Sequence, residues 1–338
     1  TLGSVEHLVA TGHEVHYLTK ESFVPILKLY GGPIQIHSIS AHASLRELTA
    51  KAGELKQYDF SAVYDLHRNL RSRVVTWLLG APFRRVRKFR ARELVLFVLR
   101  RKMFLRLYGA ALDRAGECLE LVRAERGAGA MTPAVRPVLR QLPAAAVGSA
   151  HGVLGALGER YVCIAPESAW PQKEWPFGRF VELARRLRAS GLGVVWLGMK
   201  GKLADAEAGP GVVDLFGKTT LSEAAVVLRG AALLVCNDSG LMHLAEAVGT
   251  PVVAVFGPTS RELGFAPSLP GSKIVDADLW CRPCSKTGRL CFRPINRRRC
   301  LSDISVERLF EAVSGTLSES GRTRESGVTP VMTRETDS

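Results

Sequence analysis

The feature that most constrains the fold of this sequence is a series of short, unbroken apolar runs, each closed by Gly, Pro or polar residues and separated by stretches with helical spacing. In the second half the runs fall at 161–165, 193–197, 233–236 and 252–256, with a further strand, interrupted by Asp214, at 212–215, and the helical stretches at 179–189, 222–229 and 241–248. A strand that is apolar on both faces must be covered on both. Strands of that kind alternating with helices predict a parallel sheet with helices on its two sides, an α/β fold. The first half repeats the alternation, with strands expected at 14–18, at 34–39 and from 60. Helices are expected up to Ala10, stopped by Gly12, then at 45–55 and at 71–79, closed by Gly80.

At 338 residues the chain exceeds the usual single core, so two domains are expected. The segment 125–158 is rich in Gly, Pro and Ala without sustained periodicity and marks the boundary, giving domains 1–145 and 146–317. After a helix at 306–317, residues 318–338 are polar and aperiodic and are expected to form a disordered tail.

The 46 Lys and Arg against 32 Asp and Glu give a net charge of +14, and that charge is focused. Residues 84–106 hold ten basic side chains against Glu93 alone, and 281–300 hold seven with no acid, so the remainder is slightly acidic. A helix-prone basic segment with apolar stripes, such as 84–106, suits an anionic membrane surface. For any single Arg a solvated helix face is the plainer reading. The longest apolar runs, 94–99 and 231–236, fall far short of the ~20 residues of a membrane span. Nucleic acid would also suit the charge, but no recognised nucleic-acid motif is present. A nicotinamide-dependent oxidoreductase is disfavoured because no G-x-G-x-x-G follows a strand.

Three loops at strand ends attract the chemistry. Asn237-Asp238-Ser239-Gly240 stands between a buried strand and a helix, where open parallel sheets gather ligands. Asn237 or Asp238 is expected to cap the helix, and Gly240 to let a ligand approach the backbone. The helix N-terminus carries about +0.5 of a charge with unpaired N–H donors, which suits a diphosphate. Gly249 and Pro251 are expected to end this helix. The neighbouring Phe256-Gly-Pro-Thr-Ser260 offers a second Gly-containing mouth. In Ala165-Pro-Glu-Ser-Ala-Trp-Pro-Gln-Lys-Glu-Trp-Pro176, Lys173 is framed by Trp170, Trp175 and two prolines, so a pinned ammonium can neutralise a leaving group. The plain alternatives are ordinary capping for Asp238 and Ser239, a packed or solvated His243, a surface Lys173, and a first-turn acid at Glu223.

These stretches resemble the lipopolysaccharide heptosyltransferases of glycosyltransferase family 9. "NDSGLMHLAEAVGTPVVAVFGPTS" is similar to that family's Asp-Thr/Ser-Gly-x-x-His signature, and "APESAWPQKEWP" to its Pro-Gly-Ala-x-Trp-Pro-x-Lys-x-Trp-Pro motif. "DLHRNLRS", from Asp65, resembles its Asp-Leu-Gln-x-Asn-x-Arg-Ser segment. The resemblance implies a GT-B fold, two Rossmann-like domains facing across a cleft, with a first strand and a Gly-Asp loop carrying the general base upstream of Thr1. It implies inverting transfer of heptose from ADP-heptose to the lipopolysaccharide inner core, with no cofactor or metal required for the transfer. The donor site would comprise Ser168, Lys173, Glu223, Asp238, Ser239, Gly240 and His243. Lys173 and Asp238 would be catalytic and Glu223 would hold the ribose. Arg68 and Arg71, just past the strand ending at Leu66, are placed to face the lipopolysaccharide or lipid acceptor, with a surface charge an equal reading for either. The implied location is cytoplasmic, peripheral at the inner face of the membrane. Two positions depart from the pattern: Glu167 replaces Gly, placing negative charge beside the phosphate site, and His67 replaces Gln. A catalytically inactive nucleotide-sugar-binding protein of the same fold is the alternative.

Cys281, Cys284, Cys291 and Cys300 form C-x2-C-x6-C-x8-C in an Arg- and Pro-rich loop. One C-x2-C doublet starts a structural zinc site but the second doublet is missing, so zinc and free or paired thiols stand as equal readings. Cys118, Cys163 and Cys236 sit in apolar runs and are expected in the core.

Overall fold

The computed structural model describes residues 2–86, 114–123 and 139–325, apart from positions 156, 158–159, 202, 205–208, 285–286, 290, 292 and 294. The chain forms two compact units. One holds residues 1–148, 220–223 and 260–266, the other 149–219, 224–259 and 267–338.

In the first unit, strands β1 (Val15–Lys20) and β2 (Ile34–Ile39) pair in parallel, as do β3 (Val63–Asp65) and β4 (Phe83–Arg85). Ser44 opens the helix Leu45–Leu55 through a capping box with Glu47, and Asn69 opens Leu70–Leu79 in the same way with Ser72. The two helices pack through Leu48, Ala52 and Val75, which with Ala43 form a small core. Gly80, at φ 70°, closes the second helix in the left-handed conformation that glycine adopts without strain.

The second unit is built on a six-stranded, all-parallel sheet. Its strands are β5 (Tyr161–Ala165), β6 (Gly193–Gly198), β7 (Val212–Phe216), β8 (Leu233–Asn237), β9 (Val252–Phe256) and β10 (Lys273–Asp276). Every residue of β5, β8 and β9 is buried, as unbroken apolar runs require of central strands. Their spatial order is β10-β9-β8-β5-β6-β7. Counted from β5 as first strand this is the 3-2-1-4-5-6 order of dinucleotide-binding sheets, and its connections reverse direction between β5 and β8. The helix Phe177–Ala189 buries Phe180, Val181, Leu183, Ala184 and Leu187, and these join the core around Trp175 and Trp196.

Four expectations need correction. The boundary segment contains a helix, Ala144–Leu154, whose Ala-rich sequence has high helix propensity but little amphipathic pattern. The last helix does not stop at 317 but runs Val306–Glu325. Thr316 Oγ1 donates to the Gly271 carbonyl at 3.3 Å and Lys273 pairs with Glu319 at 2.8 Å, so tertiary contacts carry the helix past its apolar stripe. The remainder of the expected tail, 326–338, lies outside the described residues, as does the basic stretch from Arg87 to Arg106. The edge strands β4 and β10 have no counterpart in the sequence reading, because three or four residues between loops give no readable alternation. Lastly, neither Asn237 nor Asp238 caps the helix Gly240–Ala247; the N-cap is Ser239, and it makes no side-chain capping bond. Among the described residues no helix is long and apolar enough to cross a membrane.

Candidate nucleotide site at the switch point

The reversal between β5 and β8 brings together the two loops that carry the sequence signatures. Asn237, fully buried at the end of β8, ties them: Oδ1 accepts the Trp175 N–H at 3.0 Å, and Nδ2 donates to the Pro166 carbonyl at 2.5 Å. This is why Asn237 is not a cap; its amide is spent across the crevice. Asp238 Oδ2 accepts from Lys173 Nζ at 2.7 Å and from Thr259 Oγ1 at 2.8 Å, and the Asp238 carbonyl accepts the Ser168 hydroxyl at 3.1 Å. Lys173 and Asp238 are 8% and 9% exposed, so this is a buried ion pair. The turn Pro171–Lys173 and the Lys173 N–H bond to the Trp170 carbonyl fix the backbone from which the ammonium projects. The Ser168 N–H is held by Glu174 Oε1 at 3.0 Å.

Next to the pair, the helix Gly240–Ala247 begins without a side-chain cap, and Ser239 Oγ is buried with no hydrogen-bond partner. Its first-turn N–H groups therefore keep the partial positive charge that a cap would quench. A Cβ placed on Gly240 would meet nothing within 4 Å, so the space over this backbone is open. His243 is exposed in the first turn. Gly249, at φ 89°, follows the helix as its left-handed stop, as expected.

Several residues are engaged differently from their sequence reading. The Glu167 carboxylate accepts the N–H groups of Met199 and Lys200 at 2.7 and 2.8 Å, beyond the end of β6, so its charge is met by two backbone dipoles. Glu223 Oε2 accepts the Thr220 N–H and hydroxyl at 2.8 and 2.9 Å, and the Glu223 N–H donates to Thr220 Oγ1 at 3.3 Å, a capping box for the helix Leu221–Gly230. In the first unit, Arg71 donates to the Ala41 carbonyl. Arg68 holds a left-handed backbone at φ 47°, its N–H bonded to Asp65 Oδ1 at 2.7 Å.

The cysteine-rich loop buttresses the site, a role that sequence reasoning missed. Arg282 is 1% exposed. Its guanidinium donates to the carbonyls of Phe256 at 3.0 Å and Thr259 at 2.8 Å, and also to those of Gly257 and Ala277, while pairing with Asp276 at 2.9 Å. The Cys284 N–H bonds the Pro258 carbonyl at 2.9 Å. Gly288 lies so close that a Cβ would come within 2.7 Å of Pro258 and 3.2 Å of Gln172. Arg289 stacks its guanidinium 4.5 Å from the Trp170 ring centroid. The loop thus grips both the Thr259 mouth and the Lys173 turn.

None of the cysteines is joined in a disulfide, and among the described residues no group of three or more His, Cys, Asp or Glu side chains is placed to hold a metal ion, which leaves the zinc reading without a built site. Burial pushes the Cys300 thiol up to about 11. At Cys291 burial also pushes upward, but hydrogen bonds from the Arg298 and Arg293 backbone and the charges of Arg297 and Arg293 outweigh it and hold this thiol below its ordinary range. Cys118, Cys163 and Cys236 are core residues, as expected.

A parallel sheet of this order, with a buried ammonium and an uncapped helix start at its switch point, defines a Rossmann-like unit. The model of glycosyltransferase family 9 (heptosyltransferase) matches residues 49–291, and the chain belongs to that family. It is 31% identical over 163 residues to lipopolysaccharide heptosyltransferase 2 of Salmonella typhimurium, covering 45% of this chain and 44% of that protein. It is 32% identical over 160 residues to lipopolysaccharide heptosyltransferase 1 of Pseudomonas aeruginosa, covering 44% and 43%. The chain therefore spans less than half the length of these curated relatives. In fold it is similar to the glycosyl transferase family 9 protein of Veillonella parvula, with TM-score 0.71, 18% identity and coverage of 94% and 95%. It is also similar to E. coli ADP-heptose lps heptosyltransferase II, with TM-score 0.70, 19% identity and coverage of 95% of both chains. The fold class is α/β of the GT-B kind, as the sequence led one to expect.

Proposed function

We propose that this chain is an inverting glycosyltransferase that moves a heptose from ADP-heptose to the inner core of lipopolysaccharide. Residues 146–317 would hold the donor, and residues 1–145, through Arg68 and Arg71, would face the acceptor. The observation that carries the reading is the buried Lys173–Asp238–Thr259 arrangement beside the uncapped start of the helix Gly240–Ala247, in a chain of this family. As the bond from the sugar carbon to the diphosphate breaks, negative charge grows on the departing ADP. The Lys173 ammonium and the helix N–H groups meet that charge without reorganising, which is where preorganised electrostatics lowers a barrier. Asp238 holds Lys173 in place, Ser239 offers its hydroxyl to the phosphates, Ser168 steadies the Asp238 backbone through its own hydroxyl, and His243 stands one turn in, on the side of the diphosphate or sugar. Attack by an acceptor hydroxyl opposite the leaving group inverts the anomeric carbon.

Calorimetric titration with ADP-heptose, ADP and NAD tests the reading. Binding of the first two but not the third is expected; equal binding of NAD, or none of ADP, rejects it. The Gly240→Ala variant sharpens the test. A methyl there enters open space and suits a helix, so melting should not fall, whereas ADP affinity should drop roughly tenfold, ~1.4 kcal/mol. Unchanged affinity would move the diphosphate elsewhere.

The reading includes a peripheral location at the inner face of the cytoplasmic membrane, supported by the charge at 84–106. Neutralising the basic residues of 84–92 should lower partitioning onto anionic vesicles, most at low salt. Partitioning that does not change assigns that segment to a solvated face.

A further inference from the structure

Glu167 enters the chain two residues past β5, yet its carboxylate sits beyond the end of β6, clamped by the consecutive N–H groups of Met199 and Lys200. Two amides give the carboxylate one orientation, and each oxygen keeps a lone pair for a further donor. The neighbours are shaped around it. A Cβ on Gly198 would come within 2.9 Å of Glu167 Cδ and 2.7 Å of the Phe216 ring, and one on Gly201 within 2.5 Å of the same ring. Bare backbone at both positions is what lets carboxylate, loop and ring lie together. Beside them Met199, 83% exposed, presents a flexible apolar side chain to solvent.

The location decides what this carboxylate can do. β5 lies between β8 and β6, and the Lys173–Asp238 pair occupies the β5/β8 crevice. Glu167 projects to the other side of β5, one strand spacing or about 5 Å away. In sheets of this order a nucleotide lays its diphosphate at the switch point and its ribose against an acid at the end of the second strand, here β6. We propose that Glu167 is that acid in this chain, accepting the ribose 2′- and 3′-hydroxyls of the adenine nucleotide with Met199 against the purine. The proposal rests on the diphosphate reading above and gives Glu167 the ribose role that the family resemblance implied for Glu223, whose Oε2 already serves the capping box with Thr220.

The test is a set of titrations with ADP, 2′-deoxy-ADP and inorganic pyrophosphate on the full chain and its Glu167→Gln, Glu167→Ala and Glu223→Gln variants. The unaltered chain should prefer ADP over 2′-deoxy-ADP by about tenfold, the worth of a hydrogen bond to a charged group. Both Glu167 variants should lose that preference while keeping pyrophosphate affinity, and Glu223→Gln should keep it. A carboxylate that only clamps the loop would weaken both nucleotides equally and leave the ratio intact, which overturns the proposal, as does a ratio near one in the unaltered chain. Failure of the unaltered chain to bind ADP or pyrophosphate rejects the diphosphate reading as well; binding with an undisturbed ratio in the Glu167 variants rejects this inference alone.

Discussion

Replacing Lys173 by Ala should lower turnover about 100- to 1,000-fold, the usual cost of removing one preorganised donor from a developing negative charge. Replacing either Lys173 or Asp238 by Ala should also destabilise the fold. Both groups are buried and 2.7 Å apart, and taking one partner from such a pair leaves an uncompensated charge, at about 3–5 kcal/mol. Distance alone does not set this value. Arg186 and Glu307 also stand 2.7 Å apart, but with side chains 35% and 60% exposed their pair is screened by solvent and contributes little. Arg186→Ala is therefore the internal control, and its melting temperature should hardly move. Asp238→Asn keeps the shape and an acceptor for Thr259 while removing the charge that anchors Lys173, so it should lose turnover with a smaller loss of stability than Asp238→Ala. Single-turnover kinetics with ADP-heptose and calorimetric melting separate the two effects. Undiminished turnover in Lys173→Ala would remove the ammonium from the chemistry.

The central strands are legible because burial on both faces writes itself into five consecutive apolar residues; β5 and β9 have the bounds that the sequence leads one to expect. Lys173 and Asp238 are legible as residue types at strand ends, and the structure joins them directly. Their third partner, Thr259, is not, since a hydroxyl 21 residues downstream of Asp238 leaves no periodic trace. Asn237 reads as a cap because Asn before a helix is ordinarily local. Here its amide bridges Pro166 and Trp175 across the crevice, a contact visible only once β5 and β8 are neighbours. Glu167 looks in sequence like an unfavourable charge beside a phosphate, and only the path of the β6 loop shows two amides meeting it. The capping box at Thr220 and Glu223 is half legible: the acid reads as a first-turn residue, but its reciprocal partner does not stand out.

Arg282 is the residue whose sequence context misleads most, because in an Arg-rich loop it reads as one surface charge among seven. Changing it to Met should cost about 4 kcal/mol or more. The guanidinium fork serves four backbone carbonyls, at Phe256, Gly257, Thr259 and Ala277, and each buried acceptor left without a donor costs about 1–3 kcal/mol before water or relaxation recovers part of it. At roughly 2–4 °C per kcal/mol for domains of this size, melting should fall by about 10 °C. Lys should rescue little, since a point charge with three donors cannot span what a planar fork spans. Asp276, with a side chain 35% exposed, can turn its freed charge to water, so the penalty comes from the carbonyls rather than from the broken ion pair. Those carbonyls belong mainly to the mouth that carries Thr259, and Thr259 steadies Asp238, so ADP affinity measured below the melting transition should fall with the stability. A variant that melts within a degree or two of the unaltered chain would show that the loop 256–260 holds its shape without the guanidinium, and the buttressing role of the cysteine-rich segment would then fall to Cys284, Gly288 and Arg289.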